Sequence, residues 1–179
     1  MYFPLLRRLS QYQIDSLAIN LLDSWLAMQR DAVLNNLSPL RFTGQTDINH
    51  DLAIDMFLLA ATPEIGVLRT KYKINCPVCD TPNGDYYSLK DIPNEQIFCK
   101  HCEHGFVPST RLDYVDLVFE RCLTPTKPLI AETVTRYHNH KGGHPGKGDS
   151  LRVTDVISGP SSARRRLLLG LDGRYEAAQ

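Results

Sequence analysis

The sequence lacks a long apolar run, since no stretch approaches the roughly 18 consecutive apolar residues that a bilayer-spanning helix needs. It also lacks the pattern of a secretory signal. The charged residues Arg7 and Arg8 follow the short apolar run at the N-terminus, and no small-residue cleavage site comes after them. These absences predict that the protein has no membrane partner and is intracellular, in the cytoplasm.

Net charge is also lacking, because 20 basic and 20 acidic residues cancel. Residues 1–66 carry four basic against seven acidic residues, and residues 67–105 carry five of each. Only residues 106–179 are basic, with eleven basic against eight acidic residues. Nucleic-acid-binding surfaces normally depend on clustered positive charge. The first two thirds of the chain do not supply such a cluster.

A catalytic constellation is missing as well. The glycine-rich residues 142–148 superficially resemble a phosphate-binding loop, but Gly148 stands where a Ser or Thr should follow the lysine. His138 and His140 flank an asparagine, as in the HNH nucleases, yet the glycine-rich run that follows is a poor helix for such a site. With His144, they could bind a transition metal, although a polar loop is the favoured interpretation. The sequence therefore predicts no enzyme and no small-molecule substrate.

Four of the five cysteines form two pairs in the pattern C-x2-C-x19-C-x2-C. Two residues between cysteines let both sulfurs of a pair turn toward one point, and four thiolates fill the tetrahedral coordination of zinc. No position is then left for a water or a substrate. The pattern predicts a structural Zn²⁺ ion and argues against metal catalysis. The predicted ligands are Cys76, Cys79, Cys99 and Cys102.

Other uses of these cysteines are less favoured. Two disulfides would suit a secreted domain, and a redox C-x-x-C would need a thioredoxin-like βαβ pattern, which the sequence lacks. An iron–sulfur cluster has the same four ligands, so iron remains an alternative to zinc. His101 and His104 are close enough to be alternative ligands. Cys122 lies in an apolar stretch and is predicted to be a small buried residue.

The chain around the cysteine pairs, residues 67–108, is predicted to form a zinc ribbon. Residues 68–74 alternate apolar and polar side chains up to the first pair, as a half-buried strand should. Turn-forming residues at 80–85 and 91–95 divide the 19 residues between the pairs, so that they run out as one strand and return as another.

Residues 1–66 are predicted to be helical. A first helix within residues 13–26 would begin after a cap at Ser10, and a second over residues 27–37 would stop at the Ser-Pro pair that follows. A third, which runs across residues 52–60, could begin at a cap at Asp47. The first helix has an apolar stripe at helical spacing. Its members are Ile14, Leu17, Leu21, Leu22 and Trp25.

Three short helices followed by a strand and a hairpin is the element order of a winged-helix domain. With the two C-x2-C pairs, residues 10–105 resemble proteins that join a winged helix to a zinc ribbon, as in the archaeal transcription factor E type. Residues 52–79 carry the resemblance, which implies a DNA-binding regulator. The third helix departs from the basic recognition helix of that family, because it carries Asp51 and Asp55 and no Lys or Arg. The alternative is a small helical bundle packed against a ribbon.

Residues 109–179 are predicted to hold a short helix capped at Ser109 and Thr110, an apolar element up to Cys122 and then a small β region. Its strands would cover residues 129–137, 151–157 and 167–171, with a hairpin at Asp172-Gly173. A mobile loop is expected at residues 138–149. The fold class is therefore α+β: an N-terminal winged-helix-like domain (1–66), a central zinc ribbon (67–108) and a C-terminal β region (109–179).

Two functions remain open. The favoured one is a non-catalytic accessory or adaptor subunit that binds protein partners in a multi-subunit complex. Its architecture is similar to accessory components of nucleic-acid or defence machines. The alternative is a winged-helix/zinc-ribbon DNA-binding regulator, which would need basic residues to contact phosphates. The candidates for such contacts are Arg164, Arg165, Arg166, Arg69, Lys71 and Lys73.

Overall fold

The computed structural model describes residues 1–127 and 150–175. The chain divides into two compact units, and each of them joins two stretches that are far apart in the sequence. The first unit contains Met1–Arg69 and Phe119–Ser150, and the second contains Thr70–Val118 and Leu151–Gln179. Helices and sheet are both present, which confirms the α+β class. The winged-helix order stays a prediction.

The described α-helices are α1 (Ser16–Met28), α2 (Pro39–Thr43), α3 (His50–Ala60), α4 (Val153–Ile157) and α5 (Ser162–Tyr175). The described strands are β1 (Leu68–Asn75), β2 (Pro82–Tyr86), β3 (Ile97–Phe98), β4 (Gly105–Phe106) and β5 (Val115–Arg121). Short 3-10 helices cover Pro4–Tyr12, Asp31–Val33, Leu89–Asp91, Pro108–Thr110 and Leu112–Tyr114. The strands form a three-stranded sheet in the order β2-β1-β5 and a separate β3-β4 hairpin.

The first helix is where the sequence predicts it, but its cap and its buried face differ. Asp15, not Ser10, caps α1 by accepting a hydrogen bond from the backbone N–H of Leu17. Leu17 therefore lies in the first turn and is 66% exposed, while Ala18, Ile19 and the residues one turn later face the core.

A buried carboxylate lies in the middle of the same helix. The side chain of Asp23 accepts hydrogen bonds from the backbone N–H groups of Tyr2 and Phe3.

The predicted second helix over residues 27–37 is wrong. After the last two residues of α1, that stretch contains the 3-10 turn Asp31–Val33. The next helix, α2, begins at the Ser-Pro pair where the predicted helix ends. Ser38 caps α2 through the backbone N–H of Leu40, and Pro39 occupies the first turn, where its missing N–H costs nothing. The third helix is confirmed as α3, although Asn49 rather than Asp47 caps it.

An aromatic cluster forms the core of the first unit. The ring of Phe57 on α3 lies 5.9 Å from Trp25, 5.8 Å from Phe42 and 5.3 Å from Phe119, centroid to centroid. All four side chains are fully buried or nearly so. Edge-to-face and tilted ring pairs of this kind add to the stabilisation from burial alone. The cluster joins residues of α1, α2, α3 and β5, and thus holds the first unit together.

In the second unit, β1 leads into the first cysteine pair, as predicted. Its antiparallel pairing with β2 aligns Tyr72 with Tyr86 and Lys73 with Asp85, and the register shifts next to Asn75. The alternation of exposed and buried residues along β1 is weaker than predicted, because Lys71 is buried and pairs with the carboxylate of Asp85 at 3.0 Å.

The C-terminal β region is contradicted in the residues that the structure describes. Residues 151–157 contain α4 and not a strand, and residues 167–171 lie within α5. The predicted hairpin at Asp172-Gly173 also lies inside α5. Helical spacing outweighs β composition here, since Val153 and Val156 are buried together, as are Leu168 and Leu171. The predicted caps Ser109 and Thr110 lie within the 3-10 turn Pro108–Thr110, and the 3-10 turn Leu112–Tyr114 then leads into strand β5.

The predicted strand at residues 129–137, the loop at residues 138–149 and the histidines within it lie outside the described residues. Within residues 1–127 and 150–175, no helix combines the length and the apolar character that crossing a membrane requires.

Candidate metal centre

The first cysteine pair lies in a tight turn that follows β1, residues 76–81, here called the first cysteine turn. The backbone N–H of Cys76 donates to the carbonyl of Thr81 at 3.0 Å, and the N–H of Asp80 donates to the carbonyl of Cys76 at 2.9 Å. The Cys76 sulfur accepts the N–H of Val78 at 3.4 Å. Asp80 completes the turn with a left-handed φ of 58°.

The second pair repeats this geometry in residues 99–104, here called the second cysteine turn. The N–H of Cys99 donates to the carbonyl of His104 at 3.0 Å, and the N–H of Glu103 donates to the carbonyl of Cys99 at 3.0 Å. The Cys99 sulfur accepts the N–H of His101 at 3.4 Å, and Glu103 has a φ of 57°. The two turns therefore share the same backbone hydrogen bonds, the same cysteine spacing and an acidic residue in the left-handed conformation.

The two turns bring four sulfurs together. The Sγ atoms of Cys76 and Cys102 are 3.5 Å apart, as are those of Cys79 and Cys99, and all four lie within 4.8 Å of one another. None of them is in a disulfide. Four sulfurs around a zinc ion with Zn–S distances of about 2.3 Å would be about 3.8 Å apart. The cluster could therefore hold one metal ion, and its geometry is consistent with zinc.

Hydrogen bonds favour the charged form of two of these thiols. The hydroxyl and the backbone N–H of Thr81 lower the pKa of Cys79 to about 5. The backbone N–H of Cys102 is the largest influence that lowers the pKa of Cys99. Metal ligation requires thiolates, so these bonds favour it.

Cys102 behaves in the opposite way. The backbone N–H of His104 favours its thiolate, but desolvation and the three neighbouring thiols together outweigh that bond and raise the pKa of Cys102 to about 12. Crowding four sulfurs makes successive ionisation unfavourable. A divalent cation at the centre would offset this accumulated negative charge.

Asn83 connects the two turns, and sequence reasoning identified it only as part of a turn. Its side-chain amide donates to the carbonyl of Thr81 at 2.7 Å and to the sulfur of Cys99 at 3.7 Å. Its side-chain oxygen accepts the backbone N–H of Lys100 at 3.0 Å. Residues that support ligands in this way orient them for the metal. Only the fold reveals this role, because Asn83 lies 16 residues from Cys99.

The remaining candidate ligands lie outside the cluster. Among the described residues, the potential metal-binding group consists of the four paired cysteines. The ring of His104 is stacked on that of Phe106. Cys122 is exposed, so its predicted burial is wrong.

The basic residues proposed for nucleic-acid contact occupy two kinds of environment. Arg69 pairs with Glu120 at 2.8 Å, and Lys71 pairs with Asp85 with only 4% of its side chain exposed. Lys73 is partly buried.

The arginine triplet lies in the first turns of α5, where Arg165 and Arg166 are exposed and Arg164 is partly buried. Contact of these residues with nucleic acid stays a prediction.

Residues 3–126 match the model of a family described as a family of unknown function (DUF5939). The chain belongs to this family. No curated protein and no solved structure matches it. The matched residues contain all four clustered cysteines and end before α4 and α5. The resemblance to the transcription factor E type stays a prediction.

Proposed function

We propose that Cys76, Cys79, Cys99 and Cys102 bind one structural zinc ion and that the chain is a non-catalytic accessory subunit of a larger intracellular assembly. The observation that carries this proposal is the closed set of four sulfurs on two matched turns. A zinc ion with four protein ligands has no open position for water or substrate, so its contribution is to hold the two turns together as a zinc ribbon.

Exposed apolar side chains next to the cysteines support a role in protein binding. Val78, within the first cysteine turn, is 65% exposed, and Phe98, directly before the second, is 67% exposed. The Phe98 ring lies against Gly105, where an added Cβ would come within 3.2 Å of it. Aromatic side chains on a rigid base are common anchors in protein interfaces. We propose that these two side chains contact a protein partner.

Purification from the native host tests the accessory role. We expect the tagged chain to retain a partner in a fixed molar ratio, and Phe98→Ala to lose at least about 90% of that partner, as for a central interface anchor. Zinc content should be unchanged, because Phe98 is not a ligand. Leu17→Ala is the matched control, since Leu17 is equally exposed but lies in the first unit. A wild-type chain that purifies alone, or equal losses in both variants, would contradict the proposal.

The DNA-binding regulator is the second candidate, and one observation favours it. Arg165 and Arg166 are exposed near the N-terminus of α5. Arg165 lies in the first turn, where the helix dipole disfavours a cation, so a bound phosphate would offset that cost. The acidic α3, with Asp51 in its first turn, does not favour the winged-helix mode.

Binding to a generic DNA duplex separates the two candidates. For the accessory subunit we expect no gel shift at micromolar protein in about 150 mM salt. A regulator would bind, its affinity would fall steeply as salt rises, and Arg165→Ala with Arg166→Ala would reduce the salt slope by about two. Binding with that slope would contradict the accessory role as the favoured function.

A further inference from the structure

The start of the C-terminal segment contacts the first cysteine turn through an arginine. The guanidinium of Arg152, just before α4, lies 3.8 Å from the carboxylate of Asp80 and 2.9 Å from that of Asp116. Asp116 also accepts the side-chain amide of Asn75 at 2.7 Å. Asp80 closes the first cysteine turn and Asn75 precedes its first cysteine. Arg152 therefore contacts one end of this turn directly, through Asp80, and the other end indirectly, through Asp116 and Asn75.

The far end of the same segment is anchored between the cysteine pairs. The buried carboxylate of Asp172, on α5, accepts the backbone N–H of Leu89 at 2.6 Å. Leu89 begins the 3-10 helix Leu89–Asp91, whose next N–H is capped by the hydroxyl of Ser88. Both Asp80 and Leu89 belong to the 19 residues between the pairs. The C-terminal segment thus has two polar anchors on this one insert.

Apolar burial accompanies these anchors. The carbonyl of Leu151 accepts the backbone N–H of Leu117 at 2.8 Å. The buried apolar side chains of the segment are Leu151, Val153, Val156, Leu168 and Leu171. The insert that receives the anchors has little regular structure of its own, namely β2, one 3-10 turn and the two-residue β3. Because few backbone hydrogen bonds within the insert hold its conformation, we expect that conformation to depend on the two cysteine turns at its ends.

We propose that residues 151–172 form a latch on the insert between the cysteine pairs, and that metal binding and latch docking are thermodynamically linked. This inference rests on the proposed zinc site. The metal fixes the two turns, the turns fix Asp80 and Leu89, and these receive Arg152 and Asp172. Linkage is reciprocal, so a docked latch must raise zinc affinity by the same factor by which zinc favours docking. Arg152 is a positioning residue for the metal centre and not a ligand.

Hydrogen–deuterium exchange on the full chain tests the forward direction. Zinc content is measured first, and the zinc-bound protein is then compared with reduced, chelator-treated protein. We expect exchange in peptides of α5 to accelerate at least about tenfold on chelation, within the usual range of coupling factors. Peptides of α1 in the first unit should not change. Unchanged exchange in α5 of a protein that has lost its zinc would overturn the latch.

Variants test the reverse direction. Arg152→Ala and Asp172→Ala, which each remove one anchor, should bind zinc more weakly in competition with a chelating dye. The expected loss is up to about tenfold, and its limit is the factor by which zinc slows exchange in α5. Arg165→Ala, an exposed arginine on the same helix, is the matched control and should bind zinc as the wild type does. Wild-type zinc affinity in both anchor variants would overturn the proposal. A wild-type chain that binds no zinc overturns the proposed function as well, and the initial zinc measurement distinguishes that outcome.

Discussion

Cys99→Ser is expected to lose the bound zinc and to unfold the two cysteine turns. The Cys99 sulfur is buried, lies 3.5 Å from that of Cys79, and accepts the N–H of His101. A serine hydroxyl does not replace a thiolate ligand, and structural zinc sites contribute about 10–16 kcal/mol of apparent binding free energy to folding. We therefore expect zinc to fall from about one ion per chain to below about 0.1, with aggregation or rapid proteolysis of the second unit.

The fifth cysteine provides the matched control for this variant. Cys122 is exposed and lies outside the cluster, so Cys122→Ser removes one thiol without removing a ligand. It should retain one zinc ion and wild-type solubility. Mass spectrometry of metal content and circular dichroism measure both effects. A Cys99→Ser protein that is folded and keeps a full complement of zinc would show that this sulfur is not a ligand.

Phe57→Ala is expected to destabilise the first unit by about 3–5 kcal/mol, as is typical for a fully buried aromatic residue. The physical reason is that the Phe57 ring packs against three other buried rings, those of Trp25, Phe42 and Phe119, and alanine fills none of that space. Trp25 is the single tryptophan of the chain, so its fluorescence reports unfolding of this unit. The measurement is the denaturation midpoint followed by that fluorescence.

Leu17→Ala is the control for this measurement. Leu17 belongs to the same unit but is 66% exposed, and such a surface change should shift stability by less than about 0.5 kcal/mol. Equal midpoints for the two variants would contradict the placement of the aromatic cluster at the core of the first unit. Zinc content should be unaffected in both variants, because neither residue belongs to the cysteine cluster.

Local patterns in the sequence are sufficient to predict the cysteine cluster and the elements next to it. The spacing of Cys76 and Cys79 brings two sulfurs to one point through a single turn, and the alternation before them marks β1. The apolar spacing along α3 likewise predicts that helix. Each cysteine pair, β1 and α3 depend on residues that are close together in the chain. The sequence alone is therefore enough to predict these elements.

Sequence reasoning was wrong where a local signal has two meanings. The Ser38-Pro39 pair predicts the end of a helix, but a Ser cap followed by Pro is also a good helix start. Residues 151–157 are rich in β-branched side chains, yet Asp155 accepts the N–H of Arg152 and starts a helix there. Burial of apolar residues three apart outweighs the β propensity of the individual residues.

The supporting contacts of the candidate site could not be predicted, because they join residues distant in the sequence. Asn83 reaches Cys99 across 16 residues, and Arg152 reaches Asp116 and Asp80 from the far end of the chain. Each of these side chains has an ordinary explanation in the sequence, as a turn former or a surface charge. Only the folded chain shows that they surround the first cysteine turn.

X-ray absorption at the zinc edge, on reduced protein purified without chelator, tests the central claim most directly. The account predicts one zinc ion per chain with four sulfur neighbours at about 2.3 Å and no oxygen or nitrogen ligand. A protein that holds iron instead, that takes up no metal when zinc is supplied, or whose zinc has a solvent ligand would contradict it.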